Sequence, residues 1–238
     1  MPEPDHDDVS PRRAGWFVRL SAALSPGVRR VQAQIRPYAR AWEESNAAAL
    51  GATGPLWVAL GDSMSQGIGA SRYDAGWVSQ LQVLLEQAGS AYRVVNLSAY
   101  GARAGDVLTR QLPAMRALDP GPDLVTVLIG SNDMVSRQRR RDLLSNYREA
   151  LRQLPPGAVV ASPFGNFGLG KQINALIAVE AADRGLSVLN NQGDSNLASW
   201  RGKLAEDHFH PNDRGYAGLA ESFFQAIQAS SPRQGPAA

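Results

Sequence analysis

Serine, histidine, aspartate and asparagine stand in four short blocks of this 238-residue chain, each beside a glycine or a proline. The blocks are Gly61-Asp62-Ser63-Met64-Ser65-Gln66-Gly67-Ile68-Gly69, Asn96-Leu97-Ser98-Ala99-Tyr100-Gly101, Gly130-Ser131-Asn132-Asp133 and Asp207-His208-Phe209-His210-Pro211. A serine hydroxyl is a weak nucleophile until a base takes its proton, and the base works best when a third group orients it. Acyl transfer also needs N–H donors for the negative oxygen that develops on the attacked carbonyl. A serine, an Asp/His pair, a glycine amide and an asparagine amide supply that inventory, provided the fold gathers them. Glycine lets its N–H approach a substrate unobstructed, and asparagine donates without adding a titrating group. His208 competes with His210 as the base. The three-residue spacing from Asp207, and Pro211, which biases the preceding residue towards extended backbone, favour His210.

The elements that must position these blocks are legible as an alternation. Apolar runs at 56–60, 92–97, 124–129, 158–162 and 186–190 predict strands. Helical patterns fall near 75–88, 104–118, 138–153 and 170–184, with a last helix over 213–229. Such an alternation argues for an α/β fold, a parallel sheet between helix layers with right-handed crossovers. Ligands of such sheets sit at the carboxyl ends of the strands. The first three blocks follow strands one, two and three, and the fourth precedes the last helix, so all four can converge at one edge.

At these blocks the sequence resembles the SGNH branch of the GDSL hydrolase superfamily, the GDSL-like esterases and lipases. Gly61-Asp62-Ser63 with Gly67 matches the nucleophile block, Gly101 the glycine block, Gly130-Ser131-Asn132-Asp133 the Gly-x-Asn-Asp block, and Asp207 to His210 with Pro211 the Asp-x-x-His block. The resemblance covers roughly residues 56–229. It implies a three-layer, flavodoxin-like, doubly wound sheet of five parallel strands in the order 2-1-3-4-5. It implies that Ser63 is the nucleophile, His210 the base and Asp207 its orienter. The Ser63 and Gly101 N–H groups and the Asn132 side chain would form the oxyanion hole. The activity implied is hydrolysis of small carboxylic esters through an acyl-enzyme, without cofactor or metal. Thioesterases, sugar-ester deacetylases and acyltransferases use the same residues, and a fold retained only for binding is the alternative from another class.

Other features are weighed against this reading. Gly193-Asp194-Ser195 repeats the tripeptide but lacks a glycine-rich turn behind it and reads as a loop. Asp62 and Asp133 read as acids that hold loops by accepting backbone N–H groups. No Gly-Lys-Ser/Thr follows the glycine-rich stretch, and no Gly-x-Ser-x-Gly elbow is present. Met64, Ile68, Met134, Phe164, Phe167 and Phe209 fall near the predicted rim and read equally well as an acyl pocket or as local core. Arg137, Arg139, Arg140 and Arg141 open the predicted helix after the asparagine block, where positive charge opposes the macrodipole. They read as a solvated face or as the partner of an anionic substrate group.

The totals limit what else the chain can be. Hydrophobic content of 44% suits a globular protein, and the absence of cysteine excludes disulfides and thiolate chemistry. A net charge of +2 implies no nucleic-acid partner. No apolar run approaches the ~18 residues of a membrane span, and no secretory signal is visible, so the expected location is cytoplasmic. Residues 1–54 read as an acidic tail and a basic helical arm, 55–230 as the hydrolase-like domain and 231–238 as a loose tail. In the arm, Val28, Val31, Ile35, Tyr38 and Trp42 form one apolar stripe, which Pro37 should kink or split. The stripe fits packing on the main domain, contact with a membrane surface or a dimer interface.

Overall fold

A computed structural model of the chain describes residues 25–135, 140–161, 168–189 and 201–230. Five short strands, β1 (Leu56–Gly61), β2 (Arg93–Asn96), β3 (Leu124–Leu128), β4 (Val159–Ala161) and β5 (Ser187–Val188), form one parallel sheet in the order β2-β1-β3-β4-β5. This is the expected order. The helices are α1 (Pro26–Ala33), α2 (Ile35–Gly51), α3 (Trp77–Gln87), α4 in three segments (Ala104–Asp106, Val107–Gln111 and Leu112–Arg116), α5 (Leu143–Gln153), α6 (Gly168–Arg184) and α7 (Asp213–Ser230).

Alternate strand residues face opposite layers, as the two-residue strand period requires. On one face Trp57, Ala59, Val94 and Leu128 pack with residues of α3 and α7, centred on Trp77 and Phe223, whose rings stack 4.2 Å apart. On the other face Val58, Leu60, Val95 and Val127 pack with Leu112 of α4, Tyr147 and Leu151 of α5, and Ile173 and Ile177 of α6. A strand buried on both faces reads as an unbroken apolar run, which is why β1 is so clear in the sequence.

The register fixes where the site is built. Gly61 of β1 is level with Leu128 of β3, and Ala59 is level with Asn96 of β2. The segments carrying Ser63, Asn132 and Gly101 therefore leave the sheet side by side.

Two helices differ from the regular pattern that the sequence suggests. The helical pattern near 138–153 predicts a start at 138, but α5 begins at Leu143. Arg137 and Arg139 lie outside the described residues, and Arg140 donates through Nε and Nη2 to the Met134 carbonyl at 3.1 and 2.7 Å. Arg140 and Arg141 thus precede the first residue of α5 in the chain. The helical pattern near 104–118 forms α4, which widens into a π turn at Val107–Gln111, where the Leu112 N–H bonds to the Val107 carbonyl. Pro113 follows at once. It has no N–H for the Thr109 carbonyl, and its ring would crowd that carbonyl in a regular α-helix; a widened turn relieves both conflicts.

The apolar stripe of the arm is buried against the chain's own domain. The arm splits at Gln34, so that Pro37 falls in the first turn of α2, where a missing N–H costs nothing. Val31 and Tyr38 pack with Ile68, and Trp42 joins the layer of Trp57 and Trp77. Helix α2 also covers the free edge of β2. The Asn46 side chain donates to the Asn96 carbonyl at 2.9 Å and accepts the Asn96 N–H at 2.7 Å, taking the part of a neighbouring strand. An edge so capped offers no template for pairing with another chain. Among the described residues, no helix is long and apolar enough to cross a membrane.

Candidate active site

Past β1 the backbone turns sharply through residues 62–70. The Ser65 and Gln66 N–H groups return to the Asp62 carbonyl, and the Ile68 N–H bonds to the Ser63 carbonyl at 3.0 Å. Glycine is required at Gly69, where φ is 98° and an added Cβ would lie 2.7 Å from His210 Cβ and 2.5 Å from the Pro211 carbonyl. The turn carrying Ser63 is thus in direct contact with the loop carrying His210.

That second loop is held closed by its own backbone. The Ala205 N–H bonds to the His210 carbonyl at 2.8 Å and the Asn212 N–H to the Lys203 carbonyl at 2.9 Å. Asp207 Oδ1 accepts the N–H groups of Phe209 and His210, both at 3.0 Å, which leaves Oδ2 to face the imidazole. His208 takes up the bend at φ 54° and points its side chain to solvent.

The three side chains meet in one line. Ser63 Oγ lies 2.9 Å from His210 Nε2, and His210 Nδ1 lies 2.5 Å from Asp207 Oδ2. Ser63 and His210 are almost wholly buried, at 2% and 6% exposure, so bulk water does not compete for these bonds. Burial pushes the Asp207 carboxyl up, but the hydrogen bond and charge of His210 and the two backbone N–H groups outweigh it and hold Asp207 below the ordinary carboxylate range. An ionised Asp207 fixes the proton on Nδ1 and leaves Nε2 as the acceptor facing Ser63 Oγ.

Beside Ser63 stand the other sequence-selected donors. Among the described residues, neither the Ser63 nor the Gly101 N–H has an acceptor, and Gly101 adopts φ 76°. Asn132 Nδ2 donates to the Ala102 carbonyl at 3.0 Å. The same Nδ2 lies 3.5 Å from Asp62 Oδ2, a long contact that places the amide next to the Ser63 turn.

The neighbouring acids hold loops, as read from the sequence. Asp62 Oδ1 accepts the Met64 N–H at 3.0 Å, and Oδ2 accepts the Ser131 hydroxyl at 2.6 Å. Burial raises its pKa against the opposing effects of those two bonds and of His210. Asp133 Oδ2 accepts the Ala104 N–H at 3.1 Å, and burial pushes its pKa up to about 6.

Of the proposed rim residues, Phe209 is 45% exposed and stands edge-on to the His210 ring, with centroids 4.9 Å apart. Met64 and Met134 are half-buried against the two apolar layers. Ile68 is fully buried under the arm, as core and not rim. Phe164, Phe167 and the second Gly-Asp-Ser at 193–195 lie outside the described residues. Among the described residues, no group of His, Asp and Glu could hold a metal ion.

Three supporting residues were not singled out in the sequence. Gln111 holds the end of β1, Ser131 bonds to Asp62, and Gln34 bonds to the Gly69–Ala70 backbone. Gln111 and Gln34 lie in helical patterns where glutamine is unremarked, and no local signal could have found them. Ser131 occupies the unspecified position of its block.

The sequence model of the GDSL-like Lipase/Acylhydrolase family matches residues 59–217. The chain belongs to that family. Relatives of this GDSL-like chain include a lipase from Streptomyces rimosus, 39% identical over 83 residues, which are 32% of this chain and 30% of that protein. They include also the esterase TesA of Pseudomonas aeruginosa, 38% identical over 95 residues, which are 38% of this chain and 46% of that protein. The chain thus spans less than half the length of these two relatives. Among solved structures, an acetyl xylan esterase from Geobacillus stearothermophilus superposes with a TM-score of 0.58 at 23% identity, covering 76% of this chain and 98% of that one. The structure of TesA superposes with a TM-score of 0.57 at 25% identity, covering 74% and 99%. Helices α1 and α2 lie outside the family match.

Proposed function

We propose that this GDSL-like protein is a serine hydrolase that cleaves carboxylic esters through a covalent acyl-enzyme. The observation that carries the reading is the continuous Ser63–His210–Asp207 line, with contacts of 2.9 and 2.5 Å.

In the first half-reaction Ser63 Oγ attacks the ester carbonyl carbon while His210 Nε2 takes the hydroxyl proton. Asp207 keeps the imidazole in the acceptor tautomer and stabilises the imidazolium that forms. Negative charge on the former carbonyl oxygen is met by the N–H groups of Ser63 and Gly101 and by the Asn132 side-chain amide, which exchanges its long contact with Asp62 for the oxyanion. When the tetrahedral adduct collapses, the C–O bond to the alcohol breaks and His210 passes its proton to the leaving oxygen. In the second half-reaction water attacks the acyl-enzyme, and His210 takes its proton and returns it to Ser63 Oγ as the acid departs.

Phe209 supplies an apolar surface for the acyl or alkyl portion of the ester, because it is exposed beside His210. Hydrolysis of a chain-length series of p-nitrophenyl esters tests this reading. Wild type and Ser195→Ala should turn over and Ser63→Ala should not, with the optimum chain length reporting the depth of the acyl site. Equal rates for Ser63→Ala and wild type would remove it.

A further inference from the structure

The arm reaches the proposed active site through backbone contacts that the family match does not include. Gln34, between α1 and α2, accepts the Gly69 N–H through Oε1 at 2.8 Å and donates through Nε2 to the Ala70 carbonyl at 2.9 Å. The Tyr38 hydroxyl donates to the same carbonyl at 2.9 Å, and Trp42 Nε1 donates to the Gln66 carbonyl at 3.1 Å. On the other loop Arg30 pairs with Glu206, and Gly27 lies so close to Glu206 that an added Cβ would be 2.6 Å from its carbonyl. One element therefore touches both the turn that carries Ser63 and the loop that carries Asp207 and His210.

The turn needs such a brace. Gly67 and Gly69 both have positive φ, and glycine is the residue with most conformational freedom to lose. Helix α7 supplies part of the ordering, since Tyr216 Oη donates to the Ile68 carbonyl at 2.6 Å and Asp213 accepts the Ser71 N–H and hydroxyl, both at 2.7 Å. The Gly69–Ala70 link between those contacts is held by the arm. Its position matters because Gly69 packs directly against His210 Cβ, so a shift of Gly69 passes to the imidazole.

We infer that Gln34 is a positioning residue that sets the Ser63–His210 geometry through the Gly69–Ala70 peptide, with Tyr38 as its second support. The inference rests on the serine-hydrolase reading above. A hydrogen bond of 2.9 Å between nucleophile and base weakens steeply with small displacements, and misplacement by about 1 Å can cost roughly 10²-fold in rate.

The experiment compares wild type, Gln34→Leu, Tyr38→Phe and a control, Gln82→Leu. The control also removes a glutamine that caps a backbone carbonyl, that of Tyr92, but does so away from the site. Steady-state hydrolysis of p-nitrophenyl butyrate is combined with titration of active sites by a p-nitrophenyl phosphate triester, so that kcat is expressed per competent site. Gln34→Leu should lose roughly 10- to 100-fold in kcat per titrated site with KM nearly unchanged. Tyr38→Phe should lose less, since Gln34 still holds Ala70, and Gln82→Leu should keep the wild-type value even where its melting temperature falls. If Gln34→Leu does not fold, Tyr38→Phe decides by the same comparison. Wild-type kcat per titrated site in the Gln34 or deciding Tyr38 variant overturns the positioning role alone. A wild type that neither hydrolyses the ester nor reacts with the triester overturns the hydrolase reading, and this inference with it.

Discussion

Gln111 clasps the last residue of β1 from the side. Its Oε1 accepts the Gly61 N–H at 2.9 Å and its Nε2 donates to the Gly61 carbonyl at 2.8 Å. The Gly61 carbonyl also accepts the Ala99 N–H at 3.3 Å, so only the Gly61 N–H depends on Gln111 alone. The widened turn of α4 contains Gln111, and Gly61 lies two residues before Ser63. Gln111→Leu should leave a buried N–H unsatisfied and cost about 1–3 kcal/mol of stability. Urea unfolding would show this as a lower midpoint at unchanged slope; an unchanged midpoint would mean that water or relaxation replaces the bond.

Asn46→Ala uncovers the Asn96 N–H and carbonyl at the sheet edge. The expected outcome is a loss of about 1–3 kcal/mol together with faster aggregation on heating, read by light scattering. Wild-type aggregation kinetics would mean that α2 protects the edge without help from the amide. Deletion through Gly51 should be far more damaging, because it also removes Trp42 from the layer of Trp57 and Trp77.

The fold class and the four blocks were legible in the sequence because each rests on a local pattern. Strands buried on both faces leave unbroken apolar runs, and Gly61-Asp62-Ser63 and Asp207 to His210 carry their spacing openly. What was not legible depends on pairs distant in sequence. Gln34 with Gly69, Asn46 with Asn96 and Gln111 with Gly61 join helix residues to backbone groups, and backbone groups have no sequence signature. The arm's stripe was visible, but its partner, Ile68, was read as equally fit for the rim. The π turn of α4 was foreshadowed only by Pro113 inside a helical pattern.

Asn132→Ala should lower kcat by roughly 10²- to 10³-fold, the usual cost of one oxyanion donor. KM and the unfolding midpoint should change little, since Asn132 is only half-buried and its bond to Ala102 links two loops at the surface of the site. A loss below about tenfold, measured with p-nitrophenyl esters, would mean that the two backbone N–H groups suffice.

Asp133 and Asp207 should give opposite pH dependences of stability. The Asp133 pKa is raised from an ordinary 3.8 to about 6 by burial, so its contribution is full below 3.8 and is lost as pH rises to about 6. The Asp207 pKa is lowered, so its contribution is present above 3.8 and is lost as pH falls through the lower folded value. Asp133→Asn keeps an acceptor for the Ala104 N–H and removes the charge. Relative to wild type, the variant should therefore gain stability between pH 4 and pH 7, seen as a melting-temperature difference that grows across that window. A difference constant with pH would show that Asp133 is not strained by its burial.

The most direct test of the central claim is the mass of the protein itself during turnover. Wild type mixed with a p-nitrophenyl ester and quenched in acid within the first turnovers should carry one added acyl group, and peptide mapping should locate it on Ser63. Ser63→Ala should carry none. An acyl group on another residue, or turnover by wild type with no acyl-protein under conditions that trap slow deacylation, would contradict the proposed mechanism.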